Sequence, residues 1–208
     1  MGSAIIDSTV WRLFSDVLCI EIEHCASRGV QVALFHECAT TGYYTEDILG
    51  YTEKDFVDTE RRISLACKRQ GIYVVYGSPY YEQGTRYNMG IVINDQGETI
   101  YRQAKIQFVG GDEGWAKPGT RLSTFKIGDN TCSMIICHDS RYPELVRLPV
   151  MKGSRLVFYM PSESNITKES KIIPYRAQVV ARAVENNVYV VQSNEAQNFS
   201  TMEGSHGQ

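Results

Sequence analysis

No run of lysine and arginine, no basic helix and no RNA-binding aromatic signature occurs in the 208 residues, and 21 basic against 24 acidic side chains leave a formal charge of −3. A polyanion is held by clustered cations that displace its counterions, so nucleic acid is not an expected partner. Also missing is any apolar stretch near the ~20 residues that cross a bilayer, and any charged-then-apolar signal pattern at the N-terminus. No membrane partner is expected, and the chain reads as cytoplasmic. Met1-Gly2-Ser3 fails as a myristoylation signal because Ile6 stands where Ser or Thr is required. Internal repeats and low-complexity segments are absent too.

The six cysteines, at 19, 25, 38, 67, 132 and 137, are irregularly spaced and sit mostly in apolar or helical contexts. Reduced thiols are the expected state. His24-Cys25, His36 with Cys38, and Cys137-His138 bring nitrogen and sulfur together, yet none has the Cys-x-x-Cys spacing of structural zinc sites. Neither a metal nor a cofactor is expected. Asn165-Ile-Thr167 and Asn198-Phe-Ser200 match the glycosylation tripeptide, a pattern short enough to arise by chance. With 43% hydrophobic and 22% charged residues, the chain is long enough to bury a core as one domain over residues 1–208.

What is present alternates between helical and strand periodicity. Val10, Leu13, Phe14, Val17, Leu18 and Ile22 recur at helical spacing from Ser8 to Arg28, with Gly29 as a stop. Val30 to Phe35 reads as a buried strand, and His36 to Gly50 as a loop leaving its carboxyl end. A helix over Glu53 to Gln70 leads into a strand at Ile72 to Tyr76. Two hairpins follow, one turning at Asn94-Asp-Gln-Gly97, the other joining Leu122–Ile127 to Thr131–Ile136 through Gly128-Asp-Asn130. Pro143 opens a helix to Lys152, Arg155 to Met160 is a strand, Pro174 to Asn187 a helix, and Val188 to Gln192 a strand. This order predicts an α/β fold with mixed strand directions, in which helix layers cover two packed sheets.

Strands of α/β sheets deliver functional residues at their carboxyl ends. Three ionisable residues fall just past predicted strands: Glu37, Lys105 and Cys137. Cys137 closes an apolar strand and enters a polar turn before a helix, a setting that exposes a thiol and places it near main-chain N–H groups that favour the thiolate. Around these positions, Phe35-His-Glu-Cys-Ala-Thr-Thr-Gly-Tyr43, Tyr101-Arg-Gln-Ala-Lys105 and Ile136-Cys-His-Asp-Ser-Arg-Tyr-Pro-Glu144 resemble, in order and spacing, the three signature segments of the nitrilase superfamily of carbon–nitrogen hydrolases. A fourth, Asp112-Glu-Gly-Trp-Ala-Lys-Pro-Gly119, is similar to the loop where many members place a second glutamate, and its Glu-Gly-Trp to that of aliphatic amidases. The resemblance runs from Ser8 to Gln208.

That resemblance implies a four-layer α-β-β-α sandwich with Glu37 as general base, Lys105 as electrophilic lysine and Cys137 as nucleophile. An amide carbonyl is a poor electrophile, so a thiolate must attack while positive charge steadies the oxygen as it becomes anionic. Lys105 and the backbone N–H of His138 are the implied oxyanion donors. Glu37 takes the thiol proton, returns it to the departing nitrogen and then activates water against the thioester. Glu113 is expected to hold Lys105 or the substrate amide. Asp139, Arg141 and Tyr142-Pro143 are expected to shape the turn and helix entry, and Tyr43, Trp115 and Tyr159 to line the substrate pocket. The imidazole of His138 is not expected as base to Cys137, because adjacent residues on an extended chain point apart.

Cys137-His-Asp favours an amidase over a nitrilase, where Cys-Trp-Glu is more frequent. The implied reaction is hydrolysis of a small linear amide or carbamoyl compound through a cysteine thioester, releasing ammonia. Nitrile hydrolysis by the same three residues is the alternative, and a catalytically silent interaction module another. Homo-oligomers, common in the family, are implied as well. Members usually begin with a strand before the first helix, where this chain offers only Ala4-Ile-Ile6; Gly204-Ser-His-Gly-Gln208 resembles the glycine-rich entry to the closing strands. The expectation is a domain shortened at both ends, lacking its first and last strands.

Overall fold

The computed structural model describes residues 10–163 and 169–195. Its helices are α1 (Val10–Ser27), α2 (Thr45–Gly50), α3 (Glu53–Gln70), α4 (Glu144–Met151) and α5 (Glu169–Asn186). Its strands are β1 (Val32–Leu34), β2 (Tyr73–Glu82), β3 (Thr85–Ile93), β4 (Thr99–Ala104), β5 (Phe125–Ile127), β6 (Asn130–Ile136), β7 (Leu156–Met160) and β8 (Tyr189–Gln192). They form two sheets in the orders β1-β2-β3-β4 and β5-β6-β7-β8. Pairing is parallel for β1 with β2, β6 with β7 and β7 with β8, and antiparallel elsewhere.

Period-two alternation sorts each strand between two cores. On β2 and β3, Val74, Tyr76, Ile91 and Ile93 face α1 and α3, meeting Leu18, Ile22, Ile63 and Ala66. Their neighbours Val75 and Val92 point the other way, against Met134, Ile136, Phe158 and Met160 of the second sheet. Ile135, Val157 and Tyr159 then face outward, with Val146 of α4 and Val179 of α5 packed against them. The result is the expected α-β-β-α sandwich, and each Ile or Phe sealed inside contributes roughly 1.5–3 kcal/mol. Gly90 sets the spacing between sheets, since a Cβ there would strike the side chains of Met134 and Met160. Helix ends follow local chemistry: Thr52 and Asp55 form a capping box at the start of α3, and Gly71, at φ +64°, closes it.

The structure departs from the sequence reading in four places. β2 continues past Tyr76 to Glu82 and makes a hairpin with β3 through Gln83 and Gly84, both at positive φ. Gly77, Ser78 and Pro79 hid this extension. β1 pairs β2 only up to Val75, so Pro79 sits where β2 has become an edge and its missing N–H is tolerated. The expected loop at 36–50 contains α2, anchored by fully buried Ile48. Helix α5 begins at Glu169 and carries Pro174 inside it, rather than starting at Pro174. On α1, Leu18 and Ile22 are buried while Leu13 and Val17 are exposed, so one edge of the apolar stripe is covered and the other is not. Ala4–Ile6, Gly204–Gln208 and the two glycosylation tripeptides lie outside the described residues.

Candidate active site

The carboxyl ends of β1 and β6 come together with the end of β4 at one rim of the sandwich, and the candidate residues meet there. Glu37 leaves β1 in a tight loop around Gly77: Gly77 donates its N–H to the His36 carbonyl, and Ala39 donates to the Gly77 carbonyl. A Cβ on Gly77 would lie 2.6 Å from the Glu37 Cα and 2.8 Å from the Cys38 nitrogen. Only glycine lets this loop close.

Lys105 follows β4 and is fully buried. Its ammonium lies 2.7 Å from Glu37 Oε1 and 2.8 Å from Asp112 Oδ2. Asn88, on β3, bridges the same two carboxylates, donating from Nδ2 to Glu37 Oε1 at 2.8 Å and to Asp112 Oδ1 at 3.1 Å. Tyr43 donates its phenol to Asp112 Oδ1 at 2.7 Å, and the Val109 N–H donates to Asp112 Oδ2 at 2.9 Å. Burial pushes the Glu37 carboxyl up; Lys105 and Asn88 pull it down, Asp112 pushes it further up, and the net direction is upward. For Lys105 burial acts downward, but Glu37, Cys137 and Asp112 together outweigh it and hold the ammonium charged.

Cys137 follows β6 directly with φ +43°, a left-handed conformation costly for a residue with a side chain and frequent at functional turns. Asp139 holds that turn: its Oδ2 accepts from the Ile136 N–H at 3.2 Å, and its Oδ1 from the N–H groups of Ile106 and Gln107 at 3.2 and 2.7 Å. One carboxylate thus ties the Cys137 turn to the segment just after Lys105. The thiol contradicts the exposed, thiolate-favouring setting read from sequence. Cys137 is 6% exposed, and burial, followed by Glu37 and Glu163, pushes its pKa well up against Lys105 and a hydrogen bond from the Ser162 main chain. The resting group is a protonated thiol, with Sγ 3.5 Å from Glu163 Oε1.

The supporting residues need correction. Glu113 is exposed, and Asp112, one residue earlier and fully buried, holds Lys105 instead. The turn places residue 112 inward because its carboxylate caps the Val109 N–H. Tyr43 bonds Asp112, with its ring centroid 5.5 Å from the Lys105 nitrogen, and so braces the charge cluster. Trp115 packs edge-on behind Tyr43 at 6.4 Å, within a small core with Cys38 and Ile48. Tyr159 is fully buried beneath the turn, 3.1 Å from Ser140 Oγ, among core residues rather than on a pocket wall. The His138 ring packs against Tyr142. Among the described residues, no three His, Cys, Asp or Glu side chains are grouped to hold a metal ion.

Comparison with known proteins extends this geometry. A family model described as carbon-nitrogen hydrolase matches residues 6–206. The chain belongs to the carbon–nitrogen hydrolase family. Within the nitrilase superfamily it is amidase-like. Nitrilase homolog 2 of Dictyostelium discoideum is 28% identical over 192 residues, covering 86% of this chain and 58% of its own length. Omega-amidase NIT2 of Xenopus tropicalis is 30% identical over 190 residues, covering 86% of this chain and 67% of its own length. This carbon–nitrogen hydrolase chain therefore spans between half and three quarters of the relatives it matches. A structure of the amidase from Nesterenkonia sp. AN1, with acrylamide added at its active-site cysteine, superposes with a TM-score of 0.82 at 20% identity, over 90% of this chain and 74% of that one. That likeness shows a shared fold.

Asn88, Asp112 and Glu163 were not singled out in the sequence. Asn88 stands as a polar residue at the inner end of the apolar run Met89 to Ile93, a pattern that marks a buried polar group. Glu163 falls just past a predicted strand end, the same position that selected Glu37, Lys105 and Cys137.

Proposed function

We propose that this chain hydrolyses the C–N bond of a small linear amide or carbamoyl compound through a thioester on Cys137, releasing ammonia. The observation that carries the reading is a buried ammonium, shared between Glu37 and Asp112, at the same rim as a thiol presented at φ +43°. Two of the three ammonium N–H donors are accounted for by those carboxylates, and the third serves the carbonyl oxygen as it becomes anionic, together with the His138 main-chain N–H. Because the ammonium is buried, its field is weakly screened. Glu37 Oε1 is occupied by Lys105 and Asn88, whereas Oε2 is buried without a hydrogen-bond partner among the described residues. Such an oxygen is placed to accept and return a proton as water cleaves the thioester. The relatives named as amidases and omega-amidases support the amide as substrate class.

The test is ammonia release over short amides, carbamoyl compounds and nitriles, with intact-mass detection of the acyl-enzyme. Amides and carbamoyl compounds are expected to turn over, and Cys137→Ala to lower turnover by about 10⁴-fold or more. Undiminished turnover in that variant would remove the mechanism; turnover of nitriles alone would change the substrate class.

A further inference from the structure

Within this reading, the reacting thiol donates its hydrogen bond to Glu163 Oε1, on the segment after β7, while Glu37 is engaged by Lys105 and Asn88. Glu163 is itself buried at 8% exposure and is fixed from several sides. Tyr175 of α5 donates its phenol to the same Oε1, the Glu163 N–H donates to Asn194 Oδ1 at 2.9 Å, and Asn194 Nδ2 donates to the Glu163 carbonyl at 3.3 Å. Arg141 Nη2 donates to the Tyr175 phenol at 3.2 Å. A carboxylate so placed has a defined geometry toward the thiol, and a carboxylate oxygen is a good proton acceptor when its partner is an S–H.

We propose that Glu163 is a second catalytic carboxylate, which takes the Cys137 proton in the acylation half of the reaction. The S–H bond breaks as an O–H bond forms on Glu163, and the freed sulfur lone pair attacks the carbonyl carbon. When the C–N bond breaks, that proton passes to the departing nitrogen and the Glu163 carboxylate is restored. Glu37 keeps its negative charge beside Lys105 throughout this half. In the second half Glu37 takes a proton from water and returns it to the leaving sulfur, regenerating the thiol. Atoms and charge balance with no further reactant. The division follows from what each carboxylate touches: Glu163 Oε1 accepts directly from the Cys137 thiol, whereas Glu37 Oε1 is engaged by Lys105 and Asn88.

Among the described residues, the charged and titratable groups facing this pair include Glu37 and Lys105 from the first sheet, His138, Arg141 and Tyr159 around the Cys137 turn, and Tyr175 from α5. Glu195 lies beyond, its Oε2 accepting from Ser162 Oγ at 2.7 Å. Removing the Glu163 charge by substitution would by itself ease ionisation of the thiol, so a purely electrostatic role and a proton-accepting role predict opposite outcomes.

The experiment is pH-dependent single-turnover acylation by a short neutral amide, read by intact mass, alongside iodoacetamide alkylation located by peptide mapping, in wild type, Glu163→Gln and Glu163→Asp. With Glu163 as acceptor, wild-type acylation depends less steeply on pH than acylation by the Gln variant. Glu163→Gln is then slower by about 10²-fold at pH 7 and rises with pH, as external base is needed, and Glu163→Asp recovers part of the rate. Glu163→Gln acylation as fast as wild type, or a profile as flat, would overturn the proposal. Loss in the Gln variant without any change in pH profile, and without rescue by Asp, would reduce Glu163 to a structural role and overturn it equally. The underlying reading fails separately: acyl or acetamide label found away from Cys137 would remove the nucleophile itself.

Discussion

The two sheets contribute unlike halves to the site. From the first come Glu37, Asn88 and Lys105, joined with Asp112 and Tyr43 by hydrogen bonds and ion pairs of 2.7–3.1 Å among fully or largely buried groups. The second supplies Cys137 and Glu163, linked by one 3.5 Å contact to sulfur, with the cysteine held in a costly backbone conformation. The first half is a platform of charge in which one oxygen without a partner among the described residues, Glu37 Oε2, can exchange a proton, and the second presents the thiol proposed to form and break the bond to carbon. Preorganised charge belongs where nothing moves, because a dipole that has already been oriented costs nothing at the moment of reaction. A reacting thiol, by contrast, has to exchange one partner for another.

This contrast predicts that damage to the two halves differs in kind. Lys105→Met leaves Glu37 and Asp112 buried without their cation, so it should cost about 3–5 kcal/mol in a denaturant titration and at least about 10³-fold in turnover. Cys137→Ala should abolish turnover yet melt within about 1 kcal/mol of wild type. Equal destabilisation by the two would erase the distinction between platform and reacting half.

Gly77→Ala tests whether the platform depends on backbone closure. The added methyl meets main-chain atoms of residues 36–38, which cannot swing aside. A loss of about 1–3 kcal/mol is expected, with turnover lowered by about 10²-fold through displacement of Glu37. Normal turnover with lowered stability would show that the carboxylate can be repositioned from elsewhere. The smallest effect belongs to Glu113→Gln, within about 0.5 kcal/mol of wild type and with unchanged turnover, whereas the neighbouring Asp112→Asn should weaken both. A reversal of that pair, measured side by side, would return the supporting role to Glu113.

Much of this architecture was legible in the chain because alternation and helical spacing are local signals. α3 matches its expected limits, and both hairpin turns, at Asn94–Gly97 and at Gly128–Asn130, lie where expected. Glu37, Lys105 and Cys137 fall at strand ends, and the topology gathers them. What stayed hidden was decided across space. Choosing between Asp112 and Glu113 depends on which way a short turn faces, and the bond to the Val109 N–H settles it after folding. Tyr159 looked like a wall residue because a strand-end aromatic carries no mark of which face it will occupy. Asn88 and Glu163 owe their importance to partners 51 and 26 residues away in the chain. The thiol's protonation reflects summed fields from burial and from carboxylates on separate elements, to which no single motif corresponds.

Asp139 has a consequence for how such a chain can change over time. Because one side chain receives N–H groups from both the Cys137 turn and the segment after Lys105, the separation of thiol and ammonium is set locally, by three hydrogen bonds. The apolar residues between the sheets are thereby relieved of that duty. Substitutions there can change how one sheet settles over the other, and descendants can diverge in their interiors while the thiol and the ammonium keep their relative places.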